Sequence, residues 1–119
     1  MKYLLLLNRI DDALPDPGSP AADELSAEYA RAVQAMAEAG VLIDCAPLTA
    51  TSSATTIRIR NGETMVTDGP AAELREQVGG YTLLECSDLD EAMRWAAMIP
   101  AAHEASIEIR AVVDTGRPR

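Results

Sequence analysis

Residues Tyr3-Leu4-Leu5-Leu6-Leu7 are apolar without a break. A run like this, with no polar residue at alternate positions, predicts a strand covered on both faces rather than one facing water. Leu83-Leu84 and Val112-Val113 extend the pattern to two more strand-like segments. Only two long helical patterns are available to cover them, and two helices side by side screen one face of a sheet. The second face needs a partner, and a second copy of the chain is the simplest one.

The helices carry clear start and stop signals. Ser19 is placed as an N-cap, with Pro20 at the first helical position and Asp23 and Glu24 in the first turn. Leu25, Tyr29, Ala32, Val33 and Met36 share one face, and Gly40 stops the helix. Ser87 with Asp90 resembles a capping box opening a second helix that runs to about Met98, ended by Pro100. Between them, Val41 to Leu48 reads as a strand and Thr55 to Arg60 alternates cleanly. Asn61-Gly62 is a two-residue hairpin turn into Glu63 to Thr67. A short helix is expected from Ala71 to Gln77, with Gly79-Gly80 as a chain break before a strand over Tyr81 to Cys86. Ile107 to Val113 is the last strand. The order strand, helix, strand, hairpin, strand, helix, strand predicts an α+β protein: a ferredoxin-like sandwich with both helices on one face of an antiparallel sheet.

At 119 residues the chain has room for one core. The expected division is a single domain over 1–114 and a flexible C-terminal tail over 115–119. Aromatic residues make up only 3% and Phe is absent, so Leu, Ile, Val, Ala and Met must fill that core. A net charge of −9 repels phosphate backbones and argues against direct nucleic-acid binding. The opening apolar run is too short for a signal peptide and is ended by Asn8 and Arg9; no run approaches membrane-spanning length. Cys45 and Cys86 form no CxxC pair, and each lies in a strand pattern. They are expected as buried, reduced thiols of a cytoplasmic protein.

Matching segments run through the whole chain: Met1-Lys2-Tyr3-Leu4-Leu5-Leu6, Glu38-Ala39-Gly40-Val41-Leu42, Ala54-Thr55-Thr56-Ile57-Arg58, Val66-Thr67-Asp68-Gly69-Pro70, Glu73-Leu74-Arg75-Glu76, Gly79-Gly80-Tyr81, Leu89-Asp90-Glu91-Ala92 and Ile107-Glu108-Ile109-Arg110. In order and spacing they resemble the YCII-related proteins, in the subgroup named after its Asp-Gly-Pro-Phe motif. The resemblance implies a ferredoxin-like fold whose sheets pair as a dimeric α/β barrel. It implies no settled reaction. Some members have been proposed as enzymes on the strength of a His–Asp pair, and others accompany sigma factors of the extracytoplasmic-function type. Ala71 replaces the motif's Phe and Arg75 stands where Lys is common. Tyr29 occupies the place of the proposed catalytic His on the first helix, so the His–Asp pair does not carry over.

Asp68 is the leading catalytic candidate. A carboxylate at this junction can act as a general base if burial raises its pKa, or it can bond turn amides, which lowers it. Arg58 lies on the polar side of its strand and suits bidentate binding of a carboxylate or phosphate, an ion pair with Glu73 or Asp68, or exposure to water. Thr67, Gly69, Glu73 and Tyr81 complete the expected ligand contacts in the matching segments. His103 is the sole histidine and lacks a ligand cluster, so neither a metal nor another cofactor is expected. Ser52 and Ser53 have no nucleophile-elbow context. Two functions fit: a homodimer binding, or acting on, a small anionic or carbonyl metabolite near Asp68, or a non-enzymatic accessory module associated with sigma factors.

Overall fold

A computed structural model describes residues 1–117. In chain order the elements are β1 (Lys2–Arg9), α1 (Pro20–Glu38), β2 (Leu42–Pro47), β3 (Thr55–Arg60), β4 (Glu63–Asp68), β5 (Gln77–Glu85), α2 (Leu89–Ala96), α3 (Ala101–Glu104) and β6 (Ile107–Ala111). One sheet has the order β2-β5-β1-β6, every neighbour antiparallel, and β3 with β4 forms a separate two-stranded hairpin. With the hairpin set aside, this is the ferredoxin-like order expected from the sequence. The expected tail lies partly outside the described residues.

Local chemistry explains the helix ends. Ser19 Oγ accepts from the Ala22 amide at 3.1 Å, and Gly40 leaves α1 at φ +76°. The second cap falls one residue later than expected. Asp88, not Ser87, is the N-cap of α2, its carboxylate accepting from the Glu91 amide at 2.9 Å, while Glu91 Oε1 accepts from the Ser87 amide at 2.8 Å. The helix also ends earlier, at Ala96. Met98 and Ile99 donate to the carbonyls of Trp95 and Ala96, tightening the chain to three-residue turns before Pro100, whence α3 resumes.

The alternation along β1 divides its side chains between two environments. Tyr3 and Leu5 point at the helices, where Leu5, Leu84, Met36 and Ile99 are at most 1% exposed. Ala32, Ala92 and Ala96 let the helices approach the sheet closely. On the opposite face Leu4 is paired with Leu83 and Arg110, and Leu6 with Tyr81 and Glu108. These leucines are only half-buried. The helix-free face thus presents an apolar centre beside the Arg110–Glu108 ion pair (3.0 Å).

Two expectations around the Asp68 junction are corrected. Residues 71–76 are irregular, and no helix forms there. Gly69 at φ +97° and Pro70 redirect the chain, and an irregular segment carries it to β5 at Gln77. The Gln77 side chain donates to the Ala72 and Leu74 carbonyls at 2.9 and 3.2 Å, stabilising the loop in place of helical bonds. Gly79-Gly80 is not a chain break: both glycines are inside β5. They are required by close approach. A Cβ on Gly79 would collide with the Arg9 side chain, and one on Gly80 would sit 2.9 Å from the Ala46 carbonyl oxygen. Because that obstacle is the backbone of β2, Gly80→Ala is expected to cost about 1–3 kcal/mol in urea unfolding.

Candidate functional site

A cavity of about 640 Å³ opens between α1 and the inner face of the sheet. Its walls are mainly apolar: Leu7 and Thr82 from the sheet, Leu25, Val33 and Met36 from α1, and Ile99 behind. Ala13, Leu14 and the exposed Ser26 form part of its rim. It exists because the segment after β1 leaves the sheet before α1 returns to it, while Gly79 and Gly80 supply no side chains to fill the gap.

Arg9, at the end of β1, closes one side. Its Nε is 2.8 Å from Asp11 Oδ1, and its terminal nitrogens donate to the carbonyls of Thr49 (3.1 Å), Leu48 (3.4 Å) and Gly79 (3.5 Å). The guanidinium is therefore occupied in tying loop 48–51 to the sheet. Burial pushes the Asp11 carboxyl upward, but donors from Thr51 and the Arg9 charge outweigh it and hold the group below the usual carboxylate range. The Thr51 amide reaches Asp11 Oδ2 at 3.3 Å.

Tyr29 projects from α1 into the same lining, with Glu104. Burial, aided by the Glu104 carboxylate, pushes its phenol up; Ala101 and Arg9 oppose this more weakly. The group stays protonated at neutral pH as a hydrogen-bond donor. Helical periodicity assigns Tyr29 to the apolar stripe of α1, and in sequence Arg9 reads only as the end of a strand. No local signal marks Arg9, because its carbonyl partners Leu48, Thr49 and Gly79 lie 39, 40 and 70 residues away.

The expected site residues do not converge. Pairing puts Arg58 with Met65, and Thr56 with Thr67, on one face of the hairpin; Asp68 shares the other face with Ile57 and Val66. Arg58 donates to the Ala71 carbonyl at 3.2 Å, and Thr56 Oγ1 to the Gly69 carbonyl at 2.8 Å, so that face anchors the following loop. Glu73 lines a shallower cleft with Asp11, Asp12 and Thr51. Neither cavity includes Asp68, Arg58, Thr67 or Gly69. Of the expected residues Tyr81 alone is in the larger lining, and its hydroxyl donates to Asp44 Oδ2 at 2.8 Å. Asp68 is exposed, and no hydrogen bond of its carboxylate is found among the described residues. Asp68→Ala and Asp68→Asn are both expected to leave stability within about 0.5 kcal/mol of the parent by denaturant unfolding.

The thiols differ in access. Both are free; Cys86 is 3% exposed, and burial pushes its pKa up, with the Glu91 carboxylate adding to the shift. Cys45 is only half-buried, a correction to the expectation that both are buried. It is on an edge strand and lines the cavity. A thiol reagent is expected to label Cys45 first, and Cys86 at a rate limited by opening of the fold. His103 Nε2 lies 2.7 Å from the Ala97 carbonyl oxygen. Among the described residues no cluster of three or more His, Cys, Asp or Glu side chains could hold a metal ion, and no helix is long and apolar enough to cross a membrane.

Strand order and cavity together define an α+β domain of ferredoxin-like topology with a ligand-sized space beneath its first helix. The model of the YCII-related domain matches residues 1–115, and the chain belongs to that family. It is 39% identical over 103 residues to an uncharacterised protein of Rhizobium meliloti (strain 1021), covering 84% of this chain and 83% of that protein. Among solved structures it is similar to the 5-chloro-2-hydroxyhydroquinone dehydrochlorinase TftG from Burkholderia phenoliruptrix, in complex with 2,5-dihydroxybenzoquinone. That likeness has a TM-score of 0.49 and 14% identity, covering 95% of this chain and 94% of the other. A likeness so loose carries nothing about chemistry.

Proposed function

We propose that this YCII-related domain binds a small metabolite in the cavity between α1 and the sheet, and does so as a homodimer. The observation that carries the reading is the cavity itself, whose size is that of sites for small organic ligands and whose walls are apolar with a few polar groups. Tyr29 and Thr82 contribute hydroxyl-bearing side chains to that lining. An acid–base role at this site falls to Tyr29 rather than Asp68, because Tyr29 lines the space. The half-buried leucines of the helix-free face support pairing of two sheets.

A thermal-shift screen of small carbonyl and carboxylate compounds tests the reading, since a ligand of the native state raises apparent stability. Hits should lose their effect in Ser26→Trp, which obstructs the rim; hits indifferent to that change would place binding elsewhere.

A second reading draws on the hairpin. Ile57, Ile59 and Val66 are each more than 60% exposed, and a two-stranded hairpin has little stability of its own. An exposed apolar arm beside an exposed Asp68 suits an accessory interaction module, of the sigma-factor-associated kind that the family resemblance implies. Co-purification with such a sigma factor that is lost in Ile57→Asp would favour it.

A further inference from the structure

We propose that the ligand of the α1–sheet cavity is an uncharged, mainly hydrocarbon molecule carrying a hydrogen-bond acceptor such as a ketone or aldehyde oxygen, held by the Tyr29 hydroxyl, and that anions are excluded. This rests on the cavity being the ligand site and narrows what it takes.

Charge in the lining decides against an anion. Among the described residues Arg9 is the one cation of the lining, and it is already engaged by Asp11 and three backbone carbonyls. The other charged side chain of the lining is Glu104, a carboxylate. A carboxylate or phosphate entering this space would lose its hydration, meet no free cation among the described residues and approach a like charge. Freeing Arg9 would break the bonds that hold loop 48–51 and leave Asp11 without its partner. A neutral ligand meets none of these obstacles, and apolar walls favour its carbon skeleton.

The donor for its oxygen is Tyr29. No side-chain acceptor for its hydroxyl is found within hydrogen-bond distance among the described residues, whereas Tyr81 is bonded to Asp44. The phenol, protonated at neutral pH like any tyrosine, is pushed further up by burial and by the Glu104 carboxylate, while its bond with the Ala101 backbone opposes the shift more weakly. Thr82, 2% exposed, adds a second hydroxyl in the lining.

A matched pair of probes tests this: the neutral ketone 2-acetylnaphthalene and the anion 2-naphthoate, titrated at neutral pH against wild type, Tyr29→Phe and Ser26→Trp. The ketone should bind wild type at least about tenfold more tightly than the anion, reflecting the cost of desolvating an unpaired charge. Tyr29→Phe should weaken the ketone by about threefold to tenfold, the worth of one neutral hydrogen bond. Ser26→Trp should abolish ketone binding. If both probes bind equally, or the anion binds better, and Ser26→Trp still blocks them, the cavity reading stands and the neutral-ligand inference falls. If the ketone binding is unchanged in Tyr29→Phe, the role of Tyr29 is wrong. Absence of binding by either probe, or binding indifferent to Ser26→Trp, would overturn both the inference and the cavity reading.

Discussion

Leu5→Ala should lower the unfolding free energy by about 2–5 kcal/mol, and the melting temperature by roughly 8–20 °C. Leu5 is fully buried at the centre of β1, between β5 and β6, beneath helices whose contact surfaces are largely alanine and methionine. Its neighbours Leu84, Met36 and Ile99 are themselves at most 1% exposed, so each is already committed to its own place in the core. The loss therefore includes a cavity term as well as the transfer term. The measurement is urea unfolding at one fixed protein concentration, because the proposed dimerisation would make stability depend on concentration. A change below about 1 kcal/mol would mean that the core relaxes around the vacancy.

Leu83→Asp should weaken the proposed homodimer by about 100-fold or more while leaving the fold intact. Leu83 pairs with Leu4 on one side and Asp44 on the other, so the substitution places a carboxylate against the apolar patch of the helix-free face. In a monomer that carboxylate is hydrated and costs little; in a sheet-to-sheet dimer it is buried without a partner. Sedimentation at micromolar concentration should show wild type at twice the 12.7 kDa chain mass and the variant at that mass itself. A dimer that survives Leu83→Asp and dissociates in Ile57→Asp would move the interface to the hairpin.

Much of the fold was legible because its determinants are local. Ser19 and Pro20 set the start of α1, Asn61-Gly62 fixes the hairpin register, and the Tyr3–Leu7 run marks a strand, β1. The errors fell where a tertiary contact overrode a local preference. Glu73, Leu74 and Arg75 are good helix formers, but the Gln77 side chain bonds the Ala72 and Leu74 carbonyls and holds the segment in an irregular path into β5. Gly79-Gly80 looks like punctuation, yet it accommodates Arg9 and the β2 backbone, neither of them near in sequence.

The site was less legible for the same reason. Its lining comes from the end of β1, one face of α1, the middle of β5 and the approach to β6, and no short motif unites them. Tyr29 sits in an apolar helical stripe, where periodicity assigns it to the core. The motif around Asp68 drew attention because it is compact in sequence, but strand alternation separates Asp68 from Arg58.

Methyl chemical-shift mapping, with the strongest hit of the thermal-shift screen added to saturation, tests the central claim most directly. Binding between α1 and the sheet should perturb Leu7, Leu25, Val33 and Met36 most strongly, and leave Ile57, Ile59 and Val66 of the hairpin near their free positions. Perturbations centred on the hairpin methyls, with those four residues unchanged, would contradict it.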